Sequence, residues 1–180
     1  MVGNDIVDLH EALHASNWQR SRFLNIIFTA SEQRYIRDGK SPFQMVWRLW
    51  SMKEASYKLY TQLYPSRFYN PKGFECIIEN NSSVVKFKSF HCYVETKTTS
   101  NYIISEARLN KQKLSSELVK FKNTSQKEQS EELKTRLLNY VGRGYQLKKN
   151  ELDIPTLSNG KEHFNVSLTH HGNYGAFAIG

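Results

Sequence analysis

Three short stretches of the chain carry side chains that could bind phosphate and a metal ion. Asp5 lies near the N-terminus, Glu54 and Lys58 lie in an aromatic-rich stretch, and Thr169 and His170 lie near the C-terminus. A pair of carboxylates can hold Mg²⁺, which prefers oxygen ligands and keeps several of its waters. Lysine and histidine side chains donate hydrogen bonds to phosphate oxygens. If folding brings these stretches together, the residue types predict a site for a metal-bound phosphate compound.

The stretch that carries Glu54 and Lys58 is predicted to be a long helix. Ser41 is a suitable N-cap, Pro42 fits the first helical position, and we expect the helix to end near Pro65. Glu54 and Lys58 are one turn apart, so they share a strip beside the apolar face. Taken alone, this pattern is also that of an ordinary surface ion pair. The apolar face repeats at helical spacing through Val46, Leu49, Trp50, Tyr57 and Tyr60.

The remaining elements predict an α+β protein. A short strand is expected over residues 2–9, with Asp5 and Ile6 on opposite faces, and Thr29 to Glu32 has a capping-box pattern that opens a helix. Four short β-prone runs then predict an antiparallel meander, with turns at residues 80–82 and 98–101. The runs cover residues 74–79, 84–88, 92–97 and 102–107.

The last third of the chain is predicted to form a second, smaller half. Residues 109–129 are polar and lysine-rich, which favours a linker, although Leu114, Leu118 and Phe121 could make a loose helix. A helix is expected over residues 131–141, a loop over 153–161 and a β-hairpin over 164–179. We therefore divide the chain into residues 1–108, a linker at 109–129, and residues 130–180.

Composition narrows the possible partners and the compartment. The chain has 180 residues and a formal net charge of +8, which favours a phosphorylated ligand, nucleic acid or an acidic protein. No apolar run approaches the ~20 residues of a membrane span, so we expect no membrane partner. Cys76 and Cys92 form no metal-ligand pattern and are expected to be core thiols in a reducing compartment, the cytoplasm.

Several motifs together resemble the 4′-phosphopantetheinyl transferases. Residues 3–8 resemble the family's Gly-x-Asp-Ile motif, and residues 50–58 resemble its Trp-x-x-Lys-Glu-Ala/Ser-x-x-Lys motif, the most specific match. Residues 28–32 resemble its Phe-Thr-x-x-Glu region, and residues 167–172 resemble its Ile-Ser-His-Ser-Gly motif. Gly160 and Lys161 resemble the family's Gly-Lys-Pro, with a glutamate in place of the proline.

The resemblance implies a specific reaction and fold. The family moves the 4′-phosphopantetheine arm of coenzyme A onto a serine of an apo acyl or peptidyl carrier protein, with Mg²⁺, and releases 3′,5′-ADP. Its larger members have two similar α+β halves with antiparallel sheets packed on helices. The implied roles are Asp5 and Glu54 as metal ligands, Glu54 and Lys58 as catalytic residues, and Lys53, Lys161, Thr169 and His170 as contacts to coenzyme A.

The order of the motifs leaves two architectures open. In the larger, monomeric branch of the family the Gly-Lys-Pro segment precedes the Gly-x-Asp half, so this chain resembles a two-half transferase with its halves exchanged. We expect the C-terminal hairpin to lie beside the N-terminal strand and the protein to be a monomer. The alternative is a subunit of the small, trimeric branch with a long insertion.

Two positions depart from the family pattern. Val7 stands where the family often has a third carboxylate, and Asp8 should point to the other face of the strand. The larger branch also has an N-terminal basic segment that is shortened or missing here. Four lysines of the linker region could replace it: Lys111, Lys113, Lys120 and Lys122.

Two other functions compete with transfer. The first is a non-catalytic module of the same fold that binds coenzyme A or a carrier protein. The second is a nucleic-acid-binding protein, suggested by the basic charge, whose binding would depend steeply on salt. No basic and aromatic stripe favours that second function, so nucleic acid is not an expected partner.

Overall fold

The computed structural model describes residues 1–79, 83–111, 114–122 and 125–180. The predicted turn at residues 80–82 lies outside the described residues. The first half contains β1 (Val2–Asp8), α1 (Leu9–Ala15), α2 (Phe23–Ile27), α3 (Ala30–Asp38), α4 (Pro42–Leu63), β2 (Glu75–Ile78), β3 (Ser83–Phe87), β4 (Phe90–Thr98) and β5 (Tyr102–Arg108). The second half contains β6 (Ser115–Lys120), α5 (Gln126–Val141), β7 (Gln146–Lys149), β8 (Pro155–Ser158), β9 (His163–His171) and β10 (Tyr174–Ile179).

The strands form two antiparallel five-stranded sheets. The order is β1-β5-β4-β3-β2 in the first sheet and β6-β10-β9-β8-β7 in the second. Each sheet packs against its own helices around its own apolar core, and the core of the first half is the larger one. The predicted α+β fold with two antiparallel halves is confirmed.

Helix α4 is the central support of the first half. Its N-terminus is capped as predicted, since the Ser41 hydroxyl accepts a hydrogen bond of 3.4 Å from the Gln44 amide and Pro42 is the first helical residue. Its face toward the sheet is fully buried through Leu49, Met52, Ala55 and Leu59. Strand β1 lies directly on this helix, because a Cβ at Gly3 would lie 1.9 Å from the Ala55 carbonyl oxygen.

The stretch predicted as a linker contains a strand. Residues Ser115–Lys120 form β6, which pairs with β10, so the expectation of a loose helix there is wrong. The helix predicted over residues 131–141 is present as α5 and begins earlier, at Gln126. The strand is stabilised by its pairing with β10, which is distant in sequence, and by Val119 and the following Phe121, which enter the second core. Neither contact is visible in the local sequence. The loop predicted over 153–161 likewise contains β8, which pairs with β7 and β9.

The two halves meet where β1 lies against β9. One edge of β1 pairs with β5. On the other edge, alternate backbone N–H groups donate to side chains of β9 rather than to its backbone. We call this contact the β1–β9 seam, and its bonds run from Asn4 to Ser167 Oγ (2.9 Å), from Ile6 to Thr169 Oγ1 (3.3 Å) and from Asp8 to His171 Nδ1 (3.0 Å). The C-terminal hairpin therefore lies beside the N-terminal strand, as expected.

Among the helices of the described residues, none combines the length and apolar character needed to cross a membrane.

Candidate active site

The Asp5 carboxylate lies at the junction of the two halves. It is supplied by β1 and is largely buried, with 12% of its side chain exposed. Its Oδ1 accepts hydrogen bonds of 3.1 Å from Lys58 Nζ on α4 and of 3.1 Å from Thr169 Oγ1 on β9. Burial raises the pKa of Asp5, whereas Lys58 and the two hydrogen bonds lower it. Three separate elements thus position this one carboxylate.

Glu54 lies on helix α4, close enough to Asp5 on β1 for their charges to interact. Burial raises the pKa of the Glu54 carboxyl to about 7, the negative charge of Asp5 adds to the shift, and Lys58 opposes it. In the described part of the chain, no hydrogen bond or ion pair engages the Glu54 carboxylate. Lys58 pairs instead with Asp5 and with the Asn4 carbonyl, at 2.9 Å. Glu54 and Lys58 are therefore not the ordinary surface ion pair that their spacing also allowed.

The donor set at Asp5 and Glu54 fits a hard divalent cation. A cation between the two carboxylates would offset the repulsion that raises the pKa of Glu54, and both groups offer the oxygens that Mg²⁺ prefers. The described residues contain no cluster of three or more metal-ligating side chains. The remaining ligands would be waters or substrate oxygens, as is usual for Mg²⁺.

Neither Val7 nor Asp8, which follow Asp5 on the same strand, adds a third carboxylate to the candidate site. Val7 is part of the first core. Asp8 is engaged elsewhere, because its Oδ1 caps α1 by accepting from the His10 and Glu11 amides while its Oδ2 accepts a bond of 2.8 Å from the Asn173 amide. Among the described residues, Asp5 and Glu54 are therefore the two carboxylates of the candidate site.

Thr169 and His170 reach the junction in different ways. They are consecutive on β9, so their side chains point to opposite faces. Thr169 is buried and binds Asp5, so it positions the carboxylate. His170 is half-buried and lines a cavity, and burial, together with Lys58 and His171, lowers the pKa of its imidazole. This shift favours the neutral imidazole, which can donate one hydrogen bond.

The cavity beside His170 has a volume of about 360 Å³ and is lined by both halves. We call it the basic cavity, because its lining includes Lys58, Arg67, Lys134, Lys149 and His170. The side chain of Lys149 is exposed, and that of Lys134 pairs with Glu131 at 2.6 Å. Asp153 also lines the cavity and pairs with Arg67, and the remaining excess of positive charge attracts phosphorylated ligands.

Sequence reasoning missed three of these cations: Arg67, Lys134 and Lys149. They come from three separate segments that form no common motif, and only the net charge of +8 hinted at such a surface. Of the four linker-region lysines expected to contact the adenosine side, Lys111, Lys120 and Lys122 do not line the basic cavity, and Lys113 lies outside the described residues.

Lys53, predicted to contact coenzyme A, is placed inside the first half. Its ammonium lies 2.7 Å from Glu32 Oε1 and also donates to the carbonyl oxygens of Pro71 and Phe74, and the side chain is 1% exposed. Glu32 in turn accepts from the Cys76 amide at 2.7 Å. These bonds join α3, α4 and β2 and engage the Lys53 ammonium within the first half, so its contact with coenzyme A stays a prediction that this placement does not favour.

Lys161, also predicted to contact coenzyme A, lies away from the junction. It is exposed in the turn between β8 and β9. His170 is near the other end of β9, and at about 3.3 Å per residue the distance along the strand exceeds roughly 20 Å. The structure therefore brings together Asp5, Glu54, Lys58, Thr169 and His170, and leaves Lys53 and Lys161 outside this group.

The model of a family described as the 4′-phosphopantetheinyl transferase superfamily matches residues 1–105. This is more than half of the 180 residues, and the chain belongs to that superfamily of phosphopantetheinyl transferases. The match includes Asp5, Glu54 and Lys58, whereas Thr169 and His170 lie beyond it. No curated protein matches the chain.

Proposed function

We propose that the protein transfers the 4′-phosphopantetheine arm of coenzyme A to a serine of an apo acyl or peptidyl carrier protein and releases 3′,5′-ADP. The observation that carries this proposal is the Glu54 carboxylate, which interacts with Asp5 and has no hydrogen-bond or ion-pair partner among the described residues, together with Lys58, which joins Asp5 to a cavity lined by several cations. Carrier proteins of this family's reaction are acidic, which agrees with the net charge of +8. The cytoplasm, where coenzyme A is available, is the proposed compartment.

Coenzyme A would place its charged half in the basic cavity. Lys134 and Lys149 can donate to its phosphate oxygens, with Arg67 beside them. The neutral imidazole of His170 and the ammonium of Lys58 line the same cavity, next to Asp5. The pyrophosphate would therefore lie near Asp5 and Glu54, with the nucleotide extending toward α5 and β7.

Asp5 and Glu54 would hold Mg²⁺ on the pyrophosphate, where the ion would neutralise charge on the phosphate oxygens. Thr169 keeps Asp5 in place through its hydrogen bond of 3.1 Å. Phosphoryl-type transfer depends mostly on such positioning and charge neutralisation. The residues of the junction supply both.

The reaction exchanges one phosphorus–oxygen bond for another. The serine oxygen bonds to the phosphorus that carries the pantetheine arm, and the bond from that phosphorus to the bridging oxygen breaks. Glu54 accepts the serine proton directly or through one water, as a general base must lie within hydrogen-bond reach of the attacking hydroxyl. Lys58 and His170 stabilise the charge on the departing 3′,5′-ADP through hydrogen bonds.

The test is a transfer assay read by the intact mass of the carrier. With coenzyme A and Mg²⁺, the protein should increase the mass of at least one apo carrier in a panel from fatty-acid, polyketide and peptide synthesis. Asp5→Asn and Glu54→Gln should abolish the mass shift while remaining folded. Glu95→Gln is the matched control, because Glu95 is 69% exposed on the first sheet and should leave transfer unchanged.

A second readout does not depend on turnover. Mg²⁺ should raise the melting temperature of the wild type and of Glu95→Gln, and should not do so in Asp5→Asn or Glu54→Gln. Binding of coenzyme A without any mass shift across the panel would favour the alternative, a non-catalytic module of the same fold. Normal turnover of folded Glu54→Gln at limiting Mg²⁺ would refute the assigned site.

A further inference from the structure

The side-chain amide of Gln62 bridges the two halves at one end of the β1–β9 seam. Gln62 lies one turn beyond Lys58 on α4 and lines the basic cavity. Its Oε1 accepts a hydrogen bond of 3.0 Å from the Val2 amide on β1, and its Nε2 donates one of 3.0 Å to the Val166 carbonyl on β9. One side chain thus joins two elements of the first half to a strand of the second. We call this contact the Gln62 bridge.

The two hydrogen bonds fix the orientation of the Gln62 amide. A backbone N–H can only donate and a backbone carbonyl can only accept, whereas a glutamine side chain offers both functions on adjacent atoms. The Val2 amide therefore selects the oxygen of Gln62 and turns its nitrogen toward Val166. A carboxylate of the same length could accept from Val2 but would have no hydrogen to donate to Val166.

Val166 begins the part of β9 that forms the second wall of the basic cavity. Residues 166–168 line the cavity together with His170, and Thr169 binds Asp5 at 3.1 Å. The Val166 side chain is fully buried in the second core, so this part of β9 is held firmly within its half. A bond that holds the Val166 carbonyl therefore sets how far this wall lies from α4.

We propose that Gln62 is a positioning residue that sets the width of the basic cavity and thereby the affinity for coenzyme A. The inference rests on the proposed function, in which the nucleotide half of coenzyme A occupies this cavity. The other bonds of the seam join β1 to β9, whereas Gln62 ties β9 directly to α4, the helix that carries Glu54 and Lys58. A wall held in place before binding need not be ordered when the ligand enters, which improves affinity.

The first test is Gln62→Met, which keeps the length of the side chain and removes both hydrogen bonds. KM and Kd for coenzyme A should rise roughly three- to tenfold, the range for one lost uncharged hydrogen bond. The kcat at saturating coenzyme A should stay near the wild-type value, because Asp5, Glu54 and Lys58 are unchanged. Gln44→Met is the matched control on the same helix but outside the basic cavity, and it should leave both constants unchanged.

A covalent link between the halves distinguishes positioning from direct contact with the ligand. Gly180 follows β10, and its amide donates to the Asn165 carbonyl, beside Val166, at 3.0 Å. A Cβ at Gly180 would lie 3.0 Å from the Val2 Cβ, so a small shift would give the Cβ separation of about 3.8 Å that a disulfide needs.

Val2→Cys and Gly180→Cys, added to Gln62→Met, should therefore tether the second wall at the same end of the seam. The oxidised triple variant should bind coenzyme A with a Kd near the wild-type value, and reduction should bring back the loss. Thiol titration of the unfolded, oxidised protein checks the link, because only Cys76 and Cys92 should then react.

Unchanged KM and Kd for coenzyme A in folded Gln62→Met, with only a lower melting temperature, would overturn the inference and leave the proposed function standing. A loss of affinity that the oxidised link does not restore would also overturn it, because Gln62 would then contact coenzyme A itself. Failure of the wild type to bind coenzyme A or to modify any carrier would instead refute the proposed function, and this inference with it.

Discussion

At the residue scale, the molecule concentrates unfavourable charge at Glu54. The carboxylate is partly buried and faces Asp5, and Lys58 compensates it only in part. A group of this kind is retained at a cost in stability and gains its counter-charge when a cation or substrate binds. The cost can be measured as a dependence of stability on pH.

Without metal, Glu54→Gln should be more stable than the wild type above pH 7. The pKa of Glu54 rises on folding from 4.5 to about 7, so the folded wild type holds a proton that the unfolded chain has lost. Wild-type stability therefore falls relative to the variant between pH 4.5 and about 7 and then levels off. The upper limit of the difference is roughly 3 kcal/mol.

Thermal melting of both proteins in a chelating buffer, from pH 4.5 to 8.5, measures this difference. The groups that face Glu54 are Asp5 and Lys58, and both are unchanged in the variant. A variant that melts below the wild type at pH 8 would show that the Glu54 carboxylate stabilises the metal-free protein.

The structure separates two residues that the motifs placed in one role. His170→Ala should weaken coenzyme A binding by about 1–3 kcal/mol, the usual loss for a hydrogen bond to a charged group. Lys161→Ala should leave the affinity unchanged, because Lys161 is exposed at the far end of β9. Titration calorimetry on the two variants measures these affinities. Equal losses of coenzyme A affinity in both would show that Lys161 also contacts the ligand, as the motif implied.

At the element scale, the buried pair of Lys53 and Glu32 joins α3, α4 and β2. Glu32 closes the capping box of α3 through the Thr29 amide at 2.8 Å, accepts from the Cys76 amide and pairs with Lys53. Every charge in this group has a partner, which is the condition for tolerating charges in a core. The group is structural, although its lysine belongs to the most specific motif of the sequence.

Lys53→Ala should reduce the free energy of unfolding by about 3–5 kcal/mol, because it leaves Glu32 buried without its counter-ion. Urea unfolding measures this loss. The matched control is Lys86→Ala, an exposed lysine on β3 whose removal should change stability little. A normally stable Lys53→Ala variant with impaired coenzyme A binding would restore the ligand role that the motif implied.

The elements that the sequence predicted well are those fixed by local pattern. The cap at Ser41, the apolar repeat of α4 and the β-prone runs of the meander depend on neighbouring residues, and the predicted helix and strands are present. Strand β6 was missed because it is fixed by pairing with β10, more than fifty residues away. Polarity alone does not distinguish an edge strand of this kind from a linker.

The same distinction applies to the site. Asp5, Glu54 and Lys58 were found because they belong to motifs, and Thr169 and His170 because they stand at a strand end in a segment that resembles the family's Ile-Ser-His-Ser-Gly motif. The basic cavity could not be predicted, since its lining combines the end of α4 with α5 and β7. The burial of Lys53 also depends on tertiary packing and has no sequence signature.

At the scale of the whole molecule, one chain supplies both walls of the junction. Asp5, Glu54 and Lys58 come from the first half, and Thr169 and His170 come from the second. A trimeric enzyme would need a neighbouring subunit for the second wall. The geometry therefore agrees with two halves in exchanged order, which stays a prediction.

The protein should be active as a monomer. Size-exclusion chromatography with light scattering should give a mass near 21.0 kDa, and the specific activity should not change on dilution. A stable trimer whose activity falls on dilution would support the alternative of a small-branch subunit with an insertion.

Because of the β1–β9 seam, the backbone amides of β1 are protected from hydrogen exchange by two different contacts, one with the second half and one with the first sheet. The amides of Asn4, Ile6 and Asp8 are protected only while the two halves are docked, because their acceptors are side chains of β9. The intervening amides of β1 point toward β5 and are protected by the first sheet. Hydrogen exchange along β1 should therefore alternate in rate from residue to residue whenever the halves separate without unfolding. The exchange rates of the Asn4, Ile6 and Asp8 amides would therefore measure how often the cleft between the halves opens.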